Sequence, residues 1–475
     1  MTRRLFVTTL LGAAIAALLT AAPATVFAAP AGWTVTQIAS ATTGFDELGV
    51  SSSLVAVRST SLPARIWAWW PGRAAVTPLG SPAPLDSLAV SATRAAWRQD
   101  AGALGSVMTW KVGDPAPTVF AAGARDDDYP AVSTDRIAWL SVGPSDQTVV
   151  TRRTSQAVPT TLSGIDNGPK MDIAVSGDRV AWTGWDGLTW QIYTWALGDS
   201  RATRLTSDLS PHISPRVSGD RVVWMSQDDV GDGIVRTWKN GVAGVMTVGP
   251  GPYDGLPQVA GDRIVWTSGA PGDTQVNLWQ PGQAARQLTA GPHSVSAVQI
   301  SGDRVVWQDQ VDAQYQIVTW RAGESSLTTL ATSPNEIAQP TIGDNRVAWR
   351  CFDGAAYRVF TASGPAISTG LTRPTVSPGT PSHGHTATFK SYLTPADAGF
   401  ATGAKATLYL YRRESGHWRL RATVTMKRAV ASGARTLLSS AVKLRYAGKW
   451  HAVLKFASAI GYAGRTSLAK DFTVR

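Results

Sequence analysis

Two stretches, VSGDRVVW from Val217 to Trp224 and ISGDRVVW from Ile300 to Trp307, differ at one position of eight. Five further copies surround them: VSATRAAW ending at Trp97, VSTDRIAW at Trp139, VSGDRVAW at Trp182, VAGDRIVW at Trp266 and IGDNRVAW at Trp349. Successive tryptophans stand 42, 43, 42, 42, 41 and 42 residues apart, and a degenerate copy, VSSSLVAV, ends at Val57. A period of this length is the mark of a repeat architecture, in which one supersecondary unit recurs. Each unit goes on to a second element such as QIYTWALG with Trp195 or QIVTWRAG with Trp320; the third copy puts Arg152 at that place.

Each period therefore holds a short strand, a tight turn at Gly-Asp, two longer strands and a closing strand, the content of one propeller blade. Within RVVW the side chains alternate, so Val222 and Trp224 share one face and Val223 takes the other. Both faces are apolar, as in a sheet sandwiched between two others. The tryptophans are expected in the core between blades. The arginines after Asp178, Asp220, Asp262 and Asp303 are expected to cover a Trp edge or to pair with an Asp of the next blade. The stretch WTVTQIA, Trp33 to Ala39, reads as a lone strand that completes the last repeat, near Cys351 to Thr369. Eight blades are expected, with seven as the alternative if the degenerate first copy forms none.

The GDRVVW element followed by an IYxW-type strand resembles the TolB-like, WD-repeat-like β-propellers of bacteria, over Trp33 to Gly370. The resemblance implies the fold and says little of function. The extra N-terminal domain of TolB has no counterpart here, so its envelope role is not carried over.

The chain has 475 residues, with 45 Gly, 28 Pro and 20 Trp, which suits many short strands joined by turns. Its charge is divided. Residues 371–475 carry 17 Lys+Arg against 3 Asp+Glu, net +14, whereas residues 29–370 carry 25 against 30, net −5. At Arg373 the period stops, and alternating segments such as ATLYLYRR, KWHAVLKF and AKDFTVR follow, spaced as in a β-sandwich. The turn ESGHW and the GKW segment, Gly448 to Trp450, resemble immunoglobulin-like modules on secreted actinobacterial proteins. The fold class expected is thus all-β, an eight-bladed propeller over 29–370 followed by a basic Ig-like sandwich over 371–475.

Residues 1–28 carry Arg3 and Arg4, an Ala-rich apolar run and small residues at Val26 and Ala28, and read as a signal peptide cleaved before Ala29. Arg3-Arg4-Leu5-Phe6 resembles a twin-arginine signal; ordinary Sec export is the alternative. No second apolar stretch is long enough to span a bilayer. The single cysteine, Cys351, leaves stability to the buried core. A secreted or wall-associated monomer is expected.

Propellers bind through the loops that lead into each blade's innermost strand. These loops differ from one another while the strands repeat. At places taken as matching they offer Asp46, Asp86, Asp128 with Tyr129, Asp172, His212, Asp254, His293 and Glu336, a ring mainly of carboxylates suited to a protein or carbohydrate ligand. No metal or other cofactor is expected, since oxygen-ligand sites show tighter local spacing; in SQDDVGDG, Ser226 to Gly233, Val230 stands where a calcium ligand should. No G-x-S-x-G is present. WDGLTW, Trp185 to Trp190, is one residue short of a sialidase-type Asp turn, and His383 and His385 lie in the linker without an acidic neighbour.

The function expected is that of a non-enzymatic binding or scaffold protein. Its propeller mouth would engage a ligand, and its basic domain would meet anionic wall polymers without specific nucleic-acid recognition. The alternative is a polysaccharide-cleaving enzyme using paired mouth carboxylates.

Overall fold

A computed structural model describes residues 27–475 except 81–82, 84, 101–103, 163–167, 228–231, 250, 252, 271, 366–368, 395–404, 433–434 and 458–463. The expected signal segment thus lies almost wholly outside the described residues, as does the centre of SQDDVGDG.

The repeats fold into eight four-stranded antiparallel sheets. Their first strands are Phe45–Val50, Leu85–Ser91, Asp126–Ser133, Lys170–Ser176, His212–Ser218, Gln258–Ala260, Ser296–Ser301 and Ile337–Gly343. Their second strands, which carry the GDRVVW element, include Arg136–Val142, Arg179–Trp185, Arg221–Gln227 and Arg304–Val311. Each first strand contacts the first strand of the next sheet, and that of the eighth contacts that of the first, so the strands encircle an axis. The eighth sheet is built from both ends of this region: Thr34–Ala41 pairs with Tyr357–Ser363, Thr34 opposite Ser363.

The repeat tryptophans lie between sheets. Val222 and Trp224 pack with Ala181 and Ile192 of the sheet before, while Val223 packs with Ile264 and Trp266 of the sheet after. Burying both faces removes apolar area that a lone four-stranded sheet would leave in water. Trp97, Trp182, Trp224, Trp307 and Trp349 are all less than 2% exposed, which excludes them as a sugar-binding ladder.

Arg136, Arg179 and Arg221 do both things expected of the repeat's arginines. Arg136 pairs with Asp178 of the next sheet at 2.8 Å and lies 5.6 Å over its Trp195. Arg221 pairs likewise with Asp262 at 2.9 Å and lies 5.3 Å over Trp279. Arg179 repeats the pattern on Asp220, at 3.5 Å, and on Trp238, at 5.3 Å. The serine of VSGD adds another link, accepting the turn N–H of the next sheet. Ser133 accepts from Gly177 at 2.9 Å, Ser176 from Gly219 at 3.0 Å, and Ser218 from Gly261 at 2.8 Å.

In six sheets the third strand carries a tryptophan opposite the second: Trp69, Trp110, Trp195, Trp238, Trp279 and Trp320. The eighth sheet has Ala362 there, opposite Val347. Trp33, just ahead of the closing strand, takes over: Arg304 of the seventh sheet lies 4.9 Å over its ring. Gly364 leaves it room, since a Cβ there would stand 3.0 Å from the indole. Phe27 packs beside it, 4.9 Å from Phe360 and 6.1 Å from Trp349. Cleavage after Ala28 would take that ring away.

The C-terminal region is a sandwich of two five-stranded sheets. Phe389 and Leu438 of one sheet share a core with Leu408, Leu410, Trp450 and Leu454 of the other. Ser415 and Gly416, both at positive φ, make the tight turn between Ala406–Glu414 and His417–Thr425. Gly370, expected as the last residue of the repeat region, pairs with Thr394 of the sandwich. Among the described residues no helix is long and apolar enough to cross a membrane.

Candidate ligand-binding mouth

The residues expected to ring the mouth do not share one place in the repeat. Counted back from the second-strand tryptophan, or from Val57 in the first sheet, His212 and Asp254 stand twelve residues before it and Asp46, Asp86 and Asp128 eleven. Tyr129 and Asp172 stand ten before it, Glu336 thirteen and His293 fourteen. In a strand that alternates faces, these offsets send side chains to different surroundings.

At the twelfth place the side chain is buried against the tryptophan. The Trp266 indole N–H donates to Asp254 Oδ1 at 2.9 Å, and the Gly251 N–H donates to Oδ2 at 3.0 Å. Burial pushes the Asp254 carboxyl above its ordinary value, and those bonds only partly offset it. His212 is fully buried; Trp224 reaches its Nδ1 at 3.3 Å, Ser226 Oγ lies 2.7 Å from Nδ1, and Asp208 lies 2.6 Å from Nε2. Asp127, which sequence reasoning passed over for its neighbour, plays the same part for Trp139 at 3.0 Å. Where this place holds Leu85, Lys170, Val295 or Ile337, the indole N–H of Trp97, Trp182, Trp307 or Trp349 has no hydrogen-bond partner.

The eleventh place meets arginines that sequence reasoning missed. Arg58 binds Asp46 in a two-pronged pair, 3.0 Å from Nε to Oδ1 and 2.7 Å from Nη2 to Oδ2. Arg98 reaches Asp100 at 2.5 Å, Asp126 at 3.2 Å and Asp128 at 3.6 Å. Arg350 bonds the Phe45 carbonyl across the junction of the eighth and first sheets. All three arginines stand one residue after the repeat tryptophan or its equivalent, a signal that was present in the sequence. Asp86 lies on the first strand of the second sheet, but its side chain lies outside the described residues.

The tenth place is a bulge. Ser87, Tyr129, Asp172, Ser214, Ala297 and Gln339 all stand there with positive φ, and the pairing to the second strand skips at that point. Asp172 Oδ2 accepts from the Ser214 N–H at 3.1 Å, tying one first strand to the next. Glu47, which was not singled out, does the same for the Leu88 N–H at 2.5 Å. Tyr129 is 54% exposed. His293 is held by Asp309 at 2.8 Å and the Ala290 carbonyl at 3.2 Å, while Glu336 is exposed.

The candidate mouth therefore combines ion-paired and hydrogen-bonded polar groups with exposed apolar side chains. Tyr129, Leu209, Tyr253 and Leu256 are exposed on the segments leading into the third, fifth and sixth sheets. Asp186 of WDGLTW closes its own turn, accepting from the Leu188 and Thr189 N–H groups at 2.9 Å and pairing with Arg204 at 2.5 Å. Among the described residues no three His, Cys, Asp or Glu side chains are grouped to hold a metal. Cys351 is buried, and burial pushes its thiol up to about 11, so it is an unreactive core group.

Repeated four-stranded sheets wound about an axis define a β-propeller. No family model matches the chain, and no curated protein matches it. Among solved structures it is similar to TolB from Acinetobacter baumannii, at 14% identity and a TM-score of 0.35, over 50% of this chain and 64% of that one. It is similar to a prolyl endopeptidase at 11% identity and a TM-score of 0.45, over 65% of this chain and 54% of that one. It is also similar to the β-propeller domain of the Trilobed protease from Pyrococcus furiosus, described as having an open velcro topology. That likeness is at 10% identity and a TM-score of 0.43, over 61% of this chain and 95% of that one. The chain thus spans less than two thirds of the length of the TolB and endopeptidase chains.

Proposed function

We propose that this is a secreted, non-enzymatic binding or scaffold protein, an eight-bladed propeller whose mouth engages a protein or glycan and whose basic Ig-like domain meets anionic polymers of the cell surface. The observation that carries the mouth reading is the contrast at its rim. Asp46, Asp128 and Asp254 are engaged by arginine or indole, while Tyr129, Tyr253, Leu209 and Leu256 stand exposed. Exposed tyrosine and leucine over a polar rim is the chemistry of a recognition surface. Acid catalysis would call for a carboxylate free to exchange its proton with substrate.

The net charge of +14 over residues 371–475 supports the second half of the reading. Arg413, Arg419, Lys449 and Lys455 are exposed, and on the strand His417–Thr425 Trp418 and Leu420 are exposed as well. Exposed cations of this number attract polyanions with steep salt dependence. Sedimentation of the whole protein with purified anionic cell walls tests it. Binding should fall between low and high salt and fall further when Arg413, Arg419, Lys449 and Lys455 are all changed to Gln. Salt-insensitive binding, unchanged in the variant, would remove the electrostatic tether.

A further inference from the structure

The third sheet breaks the repeat at one place, and a cavity lies there. Six sheets carry a third-strand tryptophan whose indole fills the space beside the hairpin turn; Trp195 donates to the Asp199 carbonyl at 3.1 Å and Trp320 to the Glu324 carbonyl at 3.0 Å. The third sheet has Arg152, opposite Ile137. Its guanidinium makes the equivalent turn bond, to the Ala157 carbonyl at 3.1 Å, and lies 4.2 Å over Phe120 of the second sheet. A slender side chain does not fill the volume of an indole, and among the described residues none takes over as Trp33 does in the eighth sheet. The result is a cavity of about 550 Å³ between the second and third sheets, within the range of small-molecule sites, roughly 300–1,000 Å³.

The lining is specific in kind. Phe120, Trp139, Val150 and Pro159 give apolar surface, and Ser141, Thr148 and Thr161 add hydroxyls. Arg125 and Arg152 are its cations. Arg125 is held in place by Asp146 at 3.0 Å and by Ser141 Oγ at 3.2 Å. The acidic group of the lining, Asp127, is turned to the Trp139 indole, and burial pushes its carboxyl above the usual range. Asp146 thus offsets the charge of Arg125, whereas Arg152 bonds the uncharged Ala157 and Phe120 carbonyls and is the cation of the lining. Arg152 Nε is buried without a hydrogen-bond partner, an arrangement that costs stability where a tryptophan would cost none.

We infer that this crevice binds a small acidic sugar, one or two rings in size, with its carboxylate toward Arg152 and its ring on the apolar wall. Guanidinium groups recognise carboxylates through charge-assisted hydrogen bonds. A sugar's own hydroxyls would meet Ser141, Thr148 and Thr161, which a purely apolar acid could not use, and a neutral sugar would make no use of the Arg152 cation. The site lies between the second and third sheets, beside the segment that enters the third sheet, and stands whether or not the rest of the mouth binds a ligand.

Calorimetric titration of the whole protein with digalacturonate and with the neutral disaccharide galactobiose tests the inference. Digalacturonate should bind at least about tenfold more tightly, the equivalent of one charge-assisted bond. Arg152→Trp installs the residue the other sheets use, and should abolish binding while leaving the thermal midpoint equal or higher. Arg152→Ala keeps the space open and removes the charge, so the two disaccharides should bind it equally. Absence of digalacturonate binding, equal binding of both sugars by the native protein, or undiminished binding by Arg152→Trp would overturn the inference. If Arg152→Trp does not fold, Arg152→Ala decides alone: retained preference for the acidic sugar overturns it.

Discussion

Gly343 of the eighth sheet lies so close to Ser51 of the first that a Cβ built on it would stand 2.3 Å from the Ser51 Cα. Gly343 occupies the place that serine holds in most copies of VSGDRVVW. In five other sheets that serine, Ser91, Ser133, Ser176, Ser218 or Ser301, accepts a turn N–H of the following sheet; at the junction of last and first sheets the backbone itself fills the space. Arg346, three residues on, spans the same junction, donating to the Ser52 carbonyl at 3.1 Å and lying 4.9 Å over Trp69.

Two substitutions that both restore the repeat consensus should therefore act in opposite directions. Ala260→Ser supplies the acceptor that the sixth sheet lacks for the turn at Gly302, and should stabilise by about 0.5–1.5 kcal/mol. Gly343→Ser drives a Cβ into the Ser51 backbone and should destabilise by about 1–3 kcal/mol. Urea unfolding of both variants checks this; shifts of the same sign would show that the serine link is not what joins the sheets.

Trp33 should behave as a core residue despite lying outside any repeat. Its ring is 9% exposed and carries the Arg304 contact that third-strand tryptophans provide elsewhere. Trp33→Ala should cost about 3–5 kcal/mol, the range for a buried aromatic truncated to alanine. A loss below about 1 kcal/mol in chemical denaturation would mean that the closing strand holds without it.

Asp254 serves the fold through one indole. Asp254→Leu leaves the Trp266 N–H buried without its acceptor and should cost about 1–3 kcal/mol. Four other sheets tolerate an unpartnered indole at the same place, so the variant should still fold. Unchanged thermal stability would free Asp254 for another role.

His212 should give a pH signature. Burial depresses its imidazole below the ordinary value, against the pull of Asp208, so the folded state holds it neutral more firmly than the unfolded chain does. The unfolded chain then binds more protons between the two values. The contribution is complete above the unfolded histidine value, about 6.5, and is lost as pH falls from there through the depressed folded value. Stability measured from pH 7.5 to 5 should fall with a slope that His212→Gln flattens. An identical slope in the variant would assign the pH dependence elsewhere.

Strand content and the two-sided burial of the tryptophans could be read from the chain because both follow from local period. An apolar residue on each face every 42 or so residues leaves few ways to hide both faces. The closing strand at Thr34–Ala41 was legible for the same reason, as a strand with no repeat of its own. The mouth was not. Asp128 and Asp172 lie one bulge apart in the repeat, and a shift of one or two residues along a strand changes which face a side chain meets. Sequence spacing alone could not tell an indole acceptor such as Asp254 from an arginine partner such as Asp46.

The sequence by itself determined the unit, its period and the faces each must bury, since those depend on neighbours along one strand. Only the tertiary structure decided which carboxylates are already engaged, that the Trp33 ring stands in for the third-strand tryptophan the last sheet lacks, and that a cavity lies beside Arg152. Asp46 meets Arg58 and Asp254 meets Trp266 across a hairpin, twelve residues apart, while Arg152 meets Phe120, and Trp33 meets Arg304, by the packing of one sheet on the next.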